Sequence, residues 1–202
     1  MNKKYDTKRL VLLAVLVGIL LLMSFTPLGY LNIGPLAISL NMIPVAIGAI
    51  TLGPAAGAAL GAVFGITSCL QCIGFGGISA MGVAMFEINR LLTMIQRFVP
   101  RLLAGWIAGW AYVGLKKLTN SMVAGFVTGF LAALMNTVFF MSALVVLFGH
   151  TAYLQDLMNG QNVLLFVCTF VGINAVVEML AATVVVGSVC AALKKSRLIG
   201  GK

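Results

Sequence analysis

The chain has 202 residues, of which 61% are hydrophobic and only 8% charged. Soluble domains are about half apolar and a quarter charged, so this composition excludes a water-soluble fold. The formal charge of +9 would suit nucleic acid only on a solvated basic face, and the sequence offers none.

A spanning helix needs roughly 20 apolar residues, which leaves room for six helices in one membrane domain, residues 1–202, and none for a catalytic domain. The first apolar run, 10–26, follows a basic start; it lacks a small-residue cleavage site and reads as an uncleaved helix. Pro27 to Pro35 is an uncharged, turn-forming stretch. A second helix is predicted over 38–52. Gly53-Pro54 then makes a tight turn, with Pro54 suited to the first position of a third helix over 54–68. Residues 69–89, with Gly74, Gly76 and Gly77, read as a connection. Further helices are predicted over 96–115, 122–148 and 163–193, the last longer than a bilayer requires.

Six crossings put both termini on one side. Ten of the thirteen bases then share that side: Lys3, Lys4, Lys8 and Arg9; Lys116 and Lys117; Lys194, Lys195, Arg197 and Lys202. Basic residues collect in cytoplasmic loops. The expected fold is therefore an all-α integral membrane bundle of six transmembrane helices with cytoplasmic termini. Residues 27–37, 69–89 and 149–162 lie outside.

Within the spans, Gly53, Gly57, Gly61 and Gly65 recur every four residues, a ridge without side chains that lets helix backbones come close. Gly105 with Gly109, and Gly125 with Gly129, form shorter seams. Ala14 and Gly18 on the first helix leave two readings open, internal packing or a lipid-exposed face that docks another membrane protein.

Polar groups inside spans are costly, which makes them informative. Arg97 and Arg101 are four apart, at the expected outer start of the fourth helix, with Pro100 between them. Asn136 lies in the fifth helix, Asn174 and Glu178 in the sixth, and Asn41 opens the second. Glu178 could pair with an arginine while the asparagines bond across helices. A single deep carboxylate cannot neutralise both arginines, so one facing an outer cavity would await an anion, and its planar fork suits a carboxylate.

Other features are blander. Cys69 and Cys72 form a lone C-x-x-C without further zinc ligands nearby. Trp106 and Trp110 read as packing or interface anchors, and His150 as a solvated loop residue. A phosphate loop, a zinc-helix motif and a nucleophile elbow are all missing from the sequence. The expectation is a non-enzyme without a cofactor. A self-contained secondary transporter would show inverted repeats, and none is seen; it remains the alternative from another class.

The run Phe25-Thr26-Pro27-Leu28-Gly29-Tyr30, then Ile43-Pro44-Val45, Gly48-Ala49, Leu52-Gly53-Pro54, Gly57, Gly61 and Phe64-Gly65, followed by Phe98-Val99-Pro100-Arg101, resembles the substrate-binding (S) subunit of energy-coupling factor (ECF) vitamin transporters. Among these it is most similar to the pantothenate type. The resemblance covers nearly the whole chain and is densest in the first hundred residues. It implies a six-helix subunit in the bacterial cytoplasmic membrane that binds a vitamin near the outer surface. The implied partners are a transmembrane coupling subunit, two cytoplasmic ATPases and membrane lipid. Ala14 and Gly18 match the family's small-residue docking motif, which usually has alanine at both ends. Residues 27–37, with Tyr30, match its lid. Arg101, Asn136 and Asn174 match its binding positions, beside the Arg97 and Asn41 singled out above. A pyridoxine, hydroxymethylpyrimidine or folate ligand is the alternative within the family.

Overall fold

In the computed structural model, residues 7–32, 37–76 and 79–195 are described. Lys3, Lys4, Arg197 and Lys202 of the basic clusters, and residues 33–36 of the expected lid, lie outside them. The elements run α1 (Thr7–Phe25), a 3₁₀ turn (Pro27–Gly29), β1 (Tyr30–Asn32), β2 (Ala37–Ser39), α2 (Met42–Leu52), α3 (Pro54–Cys72), α4 (Ala80–Ile88), α5 (Arg90–Leu118), α6 (Ser121–Phe148), α7 (Ala152–Met158) and α8 (Val163–Lys195). Among the described residues, five helices (α1, α3, α5, α6 and α8) are long and apolar enough to cross a membrane.

The expected second span, 38–52, is corrected. Its helix, α2, has 11 residues, roughly 16 Å at 1.5 Å per residue, about half of a hydrocarbon core. Pro44 accounts for the late start, because proline fits only the first turn of a helix. The residues before it form a strand instead, with Tyr30 paired to Ser39, Leu31 to Ile38 and Asn32 to Ala37 in an antiparallel hairpin.

The 69–89 connection also differs. Cys69 and Cys72 belong to the last turn of α3, and Ser79 caps a further helix, its Oγ accepting from the Gly82 N–H at 3.2 Å. At nine residues, α4 is too short to cross. A second short helix, α7, stands in the 149–162 segment, capped by Thr151. The fourth predicted span, 96–115, begins earlier, at Arg90, where Asn89 accepts from the Leu92 N–H at 3.1 Å. Arg97 and Arg101 are thus about two and three turns inside α5 rather than at its start.

Glycines set the helix contacts. Gly57 lies against Gly105, Gly61 against the Arg101 backbone, and Gly65 against Phe98. Gly53 does not join this seam. Its φ of +96° makes it the turn before α3, with open space around it, so the expected four-glycine ridge is three long. Gly125 and Gly129 seat α6 on Cys190 and Ala182 of α8.

Two apolar cores result. One joins Leu16, Leu20, Val45, Leu60, Ala104 and Val186; the other joins Met81, Met85, Met141, Leu144, Phe148 and Phe166. Arg9 donates to the Leu52 carbonyl at 2.8 Å, so the start of α1 and the Gly53-Pro54 turn share one end. At the opposite end Phe25 and Phe75 meet edge-on, 5.7 Å between ring centroids. Large apolar side chains such as Leu164 and Ile173 point outward from α8, as a lipid-facing surface requires.

Candidate functional site

Between the two cores lies a cavity of about 570 Å³, walled by the end of α1, the hairpin, α3, α4, α5, α6 and α8. That volume falls in the roughly 300–1,000 Å³ typical of small-molecule sites. Helix α5 explains its chemistry. The buried residues of α5 include Thr93, Arg97, Arg101, Ala104, Ala108 and Tyr112, one stripe at three- and four-residue spacing. Small residues carry this stripe below the cavity. Where the stripe faces the cavity it carries guanidinium groups.

Both arginines are 94% buried, at 6% exposure each. Arg101 Nη1 donates to the Arg97 carbonyl at 2.6 Å, and its guanidinium lies 4.7 Å from the Phe64 ring centroid and 5.0 Å from that of Phe140. Arg97 Nη2 donates to Ser79 Oγ at 3.2 Å and stands 5.3 Å from the Phe140 ring. The rings hold the cations by their negative faces and cannot satisfy their N–H groups. Among the described residues the Nε of each arginine has no partner. A buried donor with no partner at all costs about 1–3 kcal/mol, so these groups are left for a ligand or for water inside the cavity.

Opposite stand acceptors in the same condition. Asn136 Oδ1 on α6, the Tyr30 hydroxyl and Ser68 Oγ on α3 are buried without partners. Asn174 and Glu178 line the α8 wall. Tyr30, Arg97, Arg101, Asn136 and Asn174 therefore meet around one cavity although up to 144 residues separate them in sequence. Asn41 does not join them. It is fully buried outside the lining, close under Gly29, with both amide atoms unpartnered. Its side chain lies toward Gly29 at the base of the hairpin and makes no cap bond to α2.

Glu178, for which pairing with an arginine was one reading, bonds the backbone instead. Its Oε1 accepts from the Ser39 N–H at 2.6 Å; among the described residues no guanidinium bonds it. Sequence reasoning also missed Phe64, Phe140, Ser39 and Ser79. Phe140 was discoverable, since it lies one turn beyond Asn136 on the same face; Ser79 carried an N-cap signal. The hairpin partner of Glu178 left no local trace.

Elsewhere, all four cysteines are free thiols, Cys72 buried and Cys69 half-buried. Among the described residues no three His, Cys, Asp or Glu side chains gather to hold a metal. Trp106, Trp110 and His150 are exposed. Ala14 and Gly18 are exposed on α1, on the side away from the buried Leu16, Leu20 and Ser24. Nothing lies within 4 Å of where a Gly18 β-carbon would be. Packing inside this bundle is not their role.

A family model described as ECF transporter, substrate-specific component, matches residues 8–189. No curated protein matches the chain.

Proposed function

The chain belongs to the substrate-specific components of energy-coupling factor transporters, and on that premise we propose that it captures pantothenate in the central cavity for uptake. The family is a transport component rather than an enzyme family, and the chain is a multi-pass membrane protein. The observation that carries the choice of vitamin is the pair of buried guanidiniums that line the cavity.

Arg97 and Arg101 against Glu178 leave one formal positive charge in the cavity. A ligand with a single carboxylate balances that charge, and a guanidinium edge binds a carboxylate with two parallel hydrogen bonds. The amide and hydroxyls of pantothenate then suit Asn136, Asn174 and Tyr30. Pyridoxine and hydroxymethylpyrimidine bring no carboxylate, and folate brings two.

The rest of the reading follows the family. The host is a bacterial cytoplasmic membrane. The hairpin and α2 together make one of six traversals, and the termini are cytoplasmic, as the basic clusters favour. The vitamin arrives from outside. Ala14 and Gly18 face a transmembrane coupling subunit, which is driven by two cytoplasmic ATPases. Titration of the purified chain in detergent with pantothenate, pyridoxine, hydroxymethylpyrimidine and folate tests the choice. Pantothenate should bind tightest by at least a hundredfold; tighter binding of an uncharged vitamin would overturn it.

A further inference from the structure

We infer that Glu178 is the positioning residue that holds the β1–β2 hairpin down as the roof of the cavity. The inference rests on the reading of that cavity as the binding site. A hairpin of three residues per strand has little stability alone, so its place over the cavity must come from contacts beyond itself. Among the described residues these are the fully buried Ile38 side chain of β2 and two hydrogen bonds. The first bond is local, the Leu40 N–H donating to the Gly29 carbonyl at 2.9 Å. The second crosses 139 residues of sequence, from the Ser39 N–H to Glu178 on α8 at 2.6 Å.

This second bond joins a backbone donor to a carboxylate, a class roughly twice as strong as neutral hydrogen bonds. It also fixes what the roof presents. Ser39 pairs directly with Tyr30 in the hairpin register, and both line the cavity. Holding Ser39 against α8 therefore keeps Tyr30 in the wall of the cavity that the arginines share. Glu178 itself lines the cavity, and the hairpin engages its carboxylate from above. Losing the bond should free the roof to lift while leaving Arg97 and Arg101 in place on α5.

Roof opening can be read without any vitamin. In a full chain with Cys69, Cys72 and Cys168 changed to alanine, Asn136→Cys reports from the cavity wall. Cys190, fully buried in the core that holds Leu16 and Val186, reports on the fold. Alkylation by N-ethylmaleimide is followed by mass spectrometry. Glu178→Ala should raise the rate at position 136 by roughly ten- to a hundredfold, the range of one charged hydrogen bond. Glu178→Gln, whose amide oxygen still accepts, should raise it less. Ser39→Pro removes the donor from the other side and should match Glu178→Ala. Combining the two should add nothing, since they delete the same bond. Unchanged labelling, or additive effects, would overturn the inference. Should Cys190 become reactive in the alanine variant, the comparison passes to Glu178→Gln and Ser39→Pro. Failure of pantothenate to bind would overturn the vitamin assignment and leave this result standing.

Discussion

Gly61 of α3 lies directly against the backbone of Arg101. A β-carbon at position 61 would stand 3.0 Å from the Arg101 carbonyl carbon and 3.1 Å from Leu102 Cα. Main-chain atoms cannot rotate aside as a side chain can. The glycine seam therefore decides how closely α5 approaches α3, and with it where the Arg101 guanidinium sits over Phe64.

The first prediction concerns that contact. Gly61→Ala should cost roughly 1–3 kcal/mol, the usual range for overpacking, and weaken vitamin binding about tenfold by displacing α5. Gly114→Ala, in open space on the same helix as Arg101, should change neither. Thermal unfolding and ligand titration in detergent would decide. A Gly61→Ala chain that melts and binds like the parent would show that the seam has slack.

The second concerns recognition of the carboxylate. A hydrogen bond to a charged group is worth about 1.5–3 kcal/mol, so Arg101→Ala should weaken pantothenate binding roughly ten- to a hundredfold. Arg101→Lys should restore little, because an ammonium cannot reproduce the planar fork. The analogue with its carboxylate reduced to an alcohol should bind the parent poorly and lose little more in Arg101→Ala. Equal binding of acid and alcohol by the parent protein would make the arginine a structural residue.

Docking gives the third. Ala14→Trp and Gly18→Trp should abolish uptake in cells while the isolated chain binds its vitamin unchanged. Small residues at this spacing let a partner helix come close, and the exposed face leaves the fold indifferent to the added rings. Loss of binding in the isolated chain would count against the assignment.

Topology gives the fourth. With the native cysteines replaced, Gln161→Cys before α8 should react with an impermeant thiol reagent on intact cells. Lys117→Cys, at the other end of the bundle, should react only after permeabilisation. Both positions are exposed, so access to the reagent depends on membrane side alone. The reverse pattern would invert the orientation.

Much of this architecture was written locally. Composition determined the membrane class. Apolar runs located the five long helices, and the four-residue spacing of Gly57, Gly61 and Gly65 announced a close helix contact. The same spacing put Arg97 and Arg101 on one face. These signals are short-range, arising from the helical period and the cost of placing charge in lipid. Boundaries were less legible where a cap outweighed hydropathy: Asn89 starts α5 a turn and a half early, and Pro44 holds α2 to half a bilayer.

The tertiary structure alone decided which polar groups share the cavity. Asn41 and Asn136 look alike in sequence, both asparagines inside apolar runs, yet only Asn136 reaches the cavity. Ala14 and Gly18 were equally consistent with inward or outward packing until the buried positions of α1 were known. Glu178 had two arginines as obvious partners, and its bond goes to a backbone N–H in a hairpin that the sequence does not announce. The reason is common to all three. A residue's periodicity says which neighbours on its own helix share its face, while the partner across the bundle depends on how the helices are rotated and seated, by glycine contacts between α3 and α5 and between α6 and α8 and by Leu16 and Leu20 for α1.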